Sequence, residues 1–244
     1  MKISQIITLK LLEKMENKIL FRCSGTGSLM TEPKLKADKE AGNLSETAKT
    51  FVEDKWLFDT FGFSELLKND YMDKGNECEQ DSMDLVSQVV PGGFRSRYNT
   101  KLQNDYVIGT PDIVLTDCVE DIKTSWNLKT FFNAELSKMY FAQAQCYMWL
   151  TGKEKYRLIY ALVPTPQHMV LNECEKLAWK YGKNYDNEDY IAQTQQIQKN
   201  NDLIKDLPIE KRVKVFAFDY DPQFIETLKT KIEKAREYYN TLKL

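Results

Sequence analysis

Two short apolar runs, Tyr106-Val107-Ile108 and Ile113-Val114-Leu115, are interrupted by Gly109, Thr110, Pro111 and Asp112. β-Branched and apolar residues favour buried strands, whereas glycine and proline break a ladder, so this stretch predicts two strand segments with a sharp bend between them. Asp112 falls beside the bend, against a strand that cannot readily hide a charge. The next run, Val119 to Thr124, alternates. In a strand Asp121 and Lys123 point to one face and Ile122 to the other. Ile122 then enters the core while the carboxylate and the ammonium share a cleft with Asp112. Two carboxylates that close repel unless a hard divalent cation with oxygen ligands lies between them. Lys123 is placed to orient a water or to steady growing negative charge. Taken singly, Pro-Asp and Asp-x-Lys also describe an acid at a turn and a surface ion pair on an edge strand. The spacing of eight residues between the acids, with a strand on each side, favours the metal site.

Periodicity selects a third carboxylate. Residues 72–90 read as a helix on which Glu79, Met83, Val86 and Val90 share one face, while Glu77 shares a polar face with Asp81, Asp84 and Gln88. Glu79 is thus directed inward and Glu77 outward. A metal or its bound water would explain an inward Glu79; snorkelling at the helix edge is the alternative. A second helix, 133–150, lines up Leu136, Tyr140, Gln143, Tyr147 and Leu150. Gln143 interrupts that apolar stripe and needs a partner inside the fold, whether a phosphate, a metal-bound water, a carboxylate or a backbone carbonyl. Tyr147 fits either a site or the core.

Several classes of chemistry are excluded. Five cysteines (Cys23, Cys78, Cys118, Cys146, Cys174) are scattered without a C-x-x-C pair and read as reduced, mostly buried thiols. His168 is the only histidine, which argues against a zinc site, a histidine nuclease or a Ser-His-Asp triad. No run has the length of a membrane helix and the start lacks a signal-peptide pattern, so a cytoplasmic location is expected. A net charge of −2 excludes a uniformly basic surface but allows a basic groove offset elsewhere, for instance by the seven acids against two lysines in residues 64–84. Lys34, Lys36, Lys39, Lys129 and Lys138 are the candidate phosphate contacts.

The 244 residues can form one α/β domain. An opening helix, a Gly/Ser/Thr turn at 24–31 and a polar loop lead to Asn43, which with Glu46 predicts a capped helix to about Phe61. Strands are expected at 94–103, 106–116, 118–124, 156–163 and 213–218. Asp221-Pro222 starts a last helix with apolar positions to Leu242. Residues 167–206 read as a polar, helical, loosely packed insertion in a single domain spanning 1–244.

Together, Gly75-x-x-x-Glu79, Asp112, Asp121-Ile122-Lys123 and Gln143-x-x-x-Tyr147 resemble the core of the PD-(D/E)XK nucleases, with Asp121 where Glu is commoner. Over residues 20–165 the chain is similar to the lambda-type (phage recombination) exonucleases of that superfamily. The stretch Arg22-Cys23-Ser24-Gly25-Thr26-Gly27-Ser28-Leu29-Met30-Thr31 resembles the one where those enzymes begin a helix with a Ser and engage a DNA 5′ phosphate, which implies roles for Ser28 and Arg22; otherwise Ser28 caps a helix and Arg22 pairs with an acid. The scattered cysteines argue against the iron–sulfur nucleases that share the Gln-x-x-x-Tyr helix. The resemblance implies an α/β fold with a central mixed β-sheet flanked by helices, a restriction-endonuclease-like core. It implies Mg²⁺, with Mn²⁺ as a substitute, held by Glu79, Asp112, Asp121 and the Ile122 carbonyl, and catalysis by these with Lys123, Gln143 and Tyr147. It further implies 5′-to-3′ digestion of double-stranded DNA ends, a trimeric ring, a single-strand annealing protein as partner and a bacterial host cytoplasm. A restriction- or repair-type endonuclease of the same fold, or a non-catalytic DNA-binding protein, are the alternatives.

Overall fold

At the Gly109–Asp112 bend the chain passes from one sheet to another. The computed structural model describes residues 18–65 and 69–244. The expected opening helix falls largely on residues 1–17, outside the described residues. In chain order the elements are β1 (Phe21–Arg22), α1 (Thr26–Leu29), α2 (Lys36–Glu40), α3 (Glu46–Phe61), α4 (Asp70–Glu77), α5 (Glu79–Val89), β2 (Leu102–Gln103), β3 (Val107–Gly109), β4 (Ile113–Val114), β5 (Val119–Thr124), α6 (Leu128–Phe132), α7 (Lys138–Thr151), β6 (Lys155–Ala161), α8 (Gln167–Lys180), α9 (Glu188–Asp206), β7 (Val213–Asp219) and α10 (Pro222–Tyr239). A mixed sheet runs β4-β5-β6-β7, with β5 and β6 parallel and the outer pairs antiparallel. A smaller sheet, β1-β3-β2, stands before the bend.

Glycine is required at the bend because two core side chains close over it. A Cβ on Gly109 would lie 2.8 Å from Tyr147 Cε1 and 2.9 Å from Cys23 Sγ. Pro111, buried and without an N–H, then ends any ladder.

Beyond the bend, strand alternation distributes the core. On β6, Tyr156 and Leu158 join a cluster with Val119, Met148, Ile225, Leu228 and Ile232. Ile159 and Ala161 face the other way, against Leu85 and Val86 of α5 and Val90 just after it. The sheet is therefore covered by α7 and α10 on one face and α5 on the other. α7 is buried on nearly every side, from Ala142 to Met148. Gln145 within it is fully buried because it joins two elements: its amide donates to the Asp219 carbonyl (2.9 Å) and its oxygen accepts from Asp221 N–H (2.7 Å).

Five expectations are corrected. Residues 94–103 form no strand except Leu102–Gln103. Arg95 turns the segment inward: its guanidinium is fully buried, pairs with Glu120 (2.9 Å) and donates to the carbonyls of Val90, Pro91 and Gly93. Helix 72–90 is two helices that meet at Cys78, where ψ opens to 14°. Ser45, not Asn43, caps α3, accepting from Ala48 N–H (3.0 Å), while Asn43 donates to Asp38. Likewise α7 begins after Ser137, which caps it, so Leu136 lies outside the helix. The helical insertion is also anchored rather than loose: Asn201 bonds both the N–H and the C=O of Thr165, and Ile204 packs on Phe131 and Leu162. Asp221-Pro222 does start the last helix, the Asp221 side chain accepting from Phe224 N–H.

Glu120 carries two guanidinium groups, since Arg157 approaches it at 2.6 Å. Removing one partner of a fully buried pair leaves an uncompensated charge and costs about 3–5 kcal/mol. Glu120→Ala should lower unfolding stability by about that amount in urea titration; a loss below about 1 kcal/mol would show that the pair does not hold the 90–95 segment.

Candidate active site

The pairing of β4 with β5 places the acids. Ile113 lies opposite Glu120 and Val114 opposite Val119. One step further in the same register sets Asp112 opposite Asp121, at a separation where like charges destabilise each other. On β5, Val119, Asp121 and Lys123 share the α7 face, whereas Glu120, Ile122 and Thr124 share the α5 face, where Thr124 meets Ser82 (2.8 Å). One strand thus carries a buried structural acid and a buried site acid side by side.

Asp121 is 1% exposed, and both its oxygens meet Lys123 Nζ, at 2.6 and 2.8 Å. Burial acts to lower the Lys123 pKa, but the charges of Asp121 and Asp112 and the bond to Asp121 outweigh it and hold it raised. Lys123 is therefore an ammonium at neutral pH, and it sits 5.3 Å over the Tyr140 ring. Asp112 is pushed up to about 8, first by burial, then by its hydrogen bond with Asp121 and that residue's like charge; Lys123 pulls it back.

Asp112 and Lys123 open into a cavity of about 550 Å³ lined also by Glu79, Arg97, Tyr140 and Trp126 among others, while Asp121 lies outside the lining. Glu79 lies at its rim, half-buried, paired with Arg97 at 2.8 Å. Glu77 stands exposed on the preceding helix against His168. The inward–outward division of the two glutamates thus holds although the helix is broken. Gln143 and Tyr147 are buried behind the acids on α7. Burial raises the Tyr147 phenol, with Cys23 and the acids adding to it, while the Gln143 side chain bonds to the hydroxyl and works the other way.

Arg22 and Ser28 do not line this cavity. Arg22 faces a separate hollow beside Phe51, its guanidinium 5.9 Å from that ring. Ser28 lies inside α1, whose cap position is Gly25, so it caps nothing there; its carbonyl takes the Thr31 hydroxyl. Of the lysines, Lys36 pairs with Glu40, and Lys129 borders a neighbouring hollow with Trp126.

The lining suits a hard divalent cation: it offers the carboxylates of Asp112 and Glu79 and, among the described residues, holds no cysteine or histidine. The acid pair needs a proton or a cation between its members. Among the described residues no three His, Cys, Asp or Glu side chains stand close enough to enclose an ion as they lie. Two acids converge and the third, Glu79, is held by Arg97.

Sequence reasoning missed three residues here. Arg97 was hidden by the strand assigned to 94–103. Tyr140 was placed on the stripe but given no role. Lys74 is fully buried, its ammonium donating to the carbonyls of Ser125, Trp126 and Val163 (2.8–2.9 Å), and clasps α4 to the end of β5; burial lowers it to about 8. Only its position one residue before Gly75 hinted at proximity.

No protein-family model matches the chain, and no curated protein is significantly similar to it in sequence. Solved structures are similar to it. A phage-related exonuclease from Haemophilus somnus 129PT is 27% identical, with a TM-score of 0.73 over 92% of this chain and 95% of that one. An alkaline exonuclease (LHK-Exo) from Laribacter hongkongensis is 12% identical, with a TM-score of 0.59 over 91% and 88%. LHK-Exo in complex with dAMP matches with a TM-score of 0.54 at 13% identity over the same shares. The resemblance read from the sequence is thereby borne out: the chain has the mixed α/β fold of the PD-(D/E)XK exonucleases, and its structural neighbours are phage-related and alkaline exonucleases.

A carboxyl raised like that of Asp112 stabilises the fold while protonated; the contribution is full below about pH 4 and is lost as pH rises through about 8. Lys74, lowered, works in the opposite sense above about pH 8. The readout is therefore the difference between wild type and Asp112→Asn without metal. The melting temperature of wild type should fall relative to the variant as pH rises from about 5 to about 8, and Mg²⁺ should restore it. Parallel curves would show that Asp112 does not carry the strain.

Proposed function

We propose that this chain is a metal-dependent deoxyribonuclease that digests double-stranded DNA from an end in the 5′-to-3′ direction. The observation that carries the nuclease reading is the opposed Asp112–Asp121 pair with Lys123 bonded to it, inside an exonuclease fold. Asp112, Asp121, the Ile122 carbonyl and Glu79, once turned from Arg97, would hold Mg²⁺ or Mn²⁺. Such an ion supplies Lewis-acid polarisation of a phosphodiester and acidifies a water. Lys123, protonated and fixed by Asp121, orients the attacking water or steadies charge growing on the phosphate. Tyr140 confines the ammonium from one side. Gln143 and Tyr147 close the site from behind and, with Gly109 beneath the Tyr147 ring, hold the bend that presents Asp112.

The net charge of −2 fits a local groove rather than a basic surface. Polarity, a ring-shaped trimer, an annealing partner and selection of a 5′ phosphate by Arg22 and Ser28 belong to the proposal on the strength of the family resemblance. If those two residues act on a terminal phosphate, they do so from outside the acid cavity.

On linear duplex DNA, Mg²⁺ should support digestion and EDTA should stop it. Asp112→Asn and Lys123→Ala should each reduce the rate by at least about a hundredfold with the fold intact, and Glu79→Gln should reduce it far more than Glu77→Gln. Wild-type turnover in Asp112→Asn would refute the metal-site assignment.

Substrate form separates end-dependent from internal cutting. A 5′-phosphorylated linear duplex should be digested faster than its 5′-hydroxyl counterpart, and a covalently closed circle should survive. Rapid cutting of the circle would establish an endonuclease instead.

A further inference from the structure

Arg95 and Arg97 are two residues apart and have opposite fates. Arg95 is sealed in the core by Glu120 and three carbonyls. Arg97 leaves the same segment toward the acid cavity, with its side chain 59% exposed and Nη1 2.8 Å from Glu79 Oε2. Its position is set by the next residue, whose Tyr98 N–H donates to the backbone carbonyl of Asp112 itself (2.7 Å). Among the described residues, the cations lining the cavity are Arg97 and Lys123. Lys123 is occupied by both oxygens of Asp121. Arg97 spends one nitrogen on Glu79 and has donors to spare.

We propose that Arg97 is a DNA-phosphate ligand whose release from Glu79 couples metal binding to DNA binding. The proposal rests on the nuclease reading above and adds a substrate contact to it. An exposed ion pair contributes little and exchanges readily, unlike the sealed pair of Arg95. A cation that recruits the Glu79 carboxylate removes the partner of Arg97. The planar guanidinium fork then matches two phosphate oxygens on a backbone drawn into the cavity. Each ligand frees the residue that receives the other, so each strengthens the other's binding by the same factor.

The test is a thermodynamic cycle with Ca²⁺, which accepts carboxylate oxygens in loose geometry, and a short blunt duplex. Duplex affinity is measured with Ca²⁺ and with EDTA, and Ca²⁺ affinity with and without duplex. In wild type each ligand should tighten the other by about tenfold or more. In Arg97→Ala that factor should fall at least about threefold, to the part that direct contact between cation and phosphate supplies, with the melting temperature kept and the duplex affinity in EDTA changed by less than about twofold. Arg97→Lys should recover part of the coupling, since it keeps the charge without the fork. Wild-type coupling in Arg97→Ala, or no coupling in wild type, overturns the proposal. Mg²⁺-dependent digestion by the wild-type protein, lost in Asp112→Asn, is scored separately, so Arg97 can fail while the nuclease reading stands.

Discussion

Two carboxylates set opposite each other across the β4–β5 pair are the constraint from which the rest of the site follows. The register that pairs Ile113 with Glu120 brings Asp112 to Asp121. Asp121 is sealed and Asp112 half-buried, and desolvation together with the neighbouring charge pushes the Asp112 carboxyl up to about 8. A fold that keeps such a pair must supply a proton, a cation or both. Lys123 supplies part of the compensation from within the chain, at 2.6 Å from Asp121. What is left over suits a hard divalent ion.

The surrounding structure serves to keep that opposition in place. β5 carries Asp121 on one face and Glu120 on the other, so the strand is held from both sides: by α7 behind Asp121 and by Arg95 and Arg157 around Glu120. Gly109 lets Tyr147 and Cys23 close over the bend, so the turn that delivers Asp112 is packed. Lys74 ties the helix before Glu79 to the carbonyls at the end of β5. These contacts are buried and costly to break, whereas the Arg97–Glu79 pair at the rim is exposed. Rigidity thus lies beneath the acids and freedom at the mouth of the cavity.

Much of this was legible in local pattern. Alternation in 119–124 gave the two faces of β5, and apolar spacing with Met83 and Val86 picked out Glu79, because both depend on period within one element. Asp221-Pro222 announced a helix start because its cap chemistry is local. The strand assigned to 94–103 failed since nothing local says that Arg95 will bury its charge against a residue 25 positions away. The burial of Lys74 and the bonds of Gln145 were hidden for the same reason: each is decided by partners distant in sequence. The Ser28 and Arg22 assignments rested on resemblance, and the structure sets both apart from the acid cavity.

Proton release on metal binding tests the central claim most directly. Titration of Mn²⁺ into the protein at about pH 7, in buffers of different ionisation enthalpy, counts the protons displaced. If Asp112 and Asp121 share a proton that the cation replaces, wild type should release about one proton per ion bound, and Asp112→Asn should bind weakly and release none. Tight binding without proton release, or release unchanged in Asp112→Asn, would contradict the account.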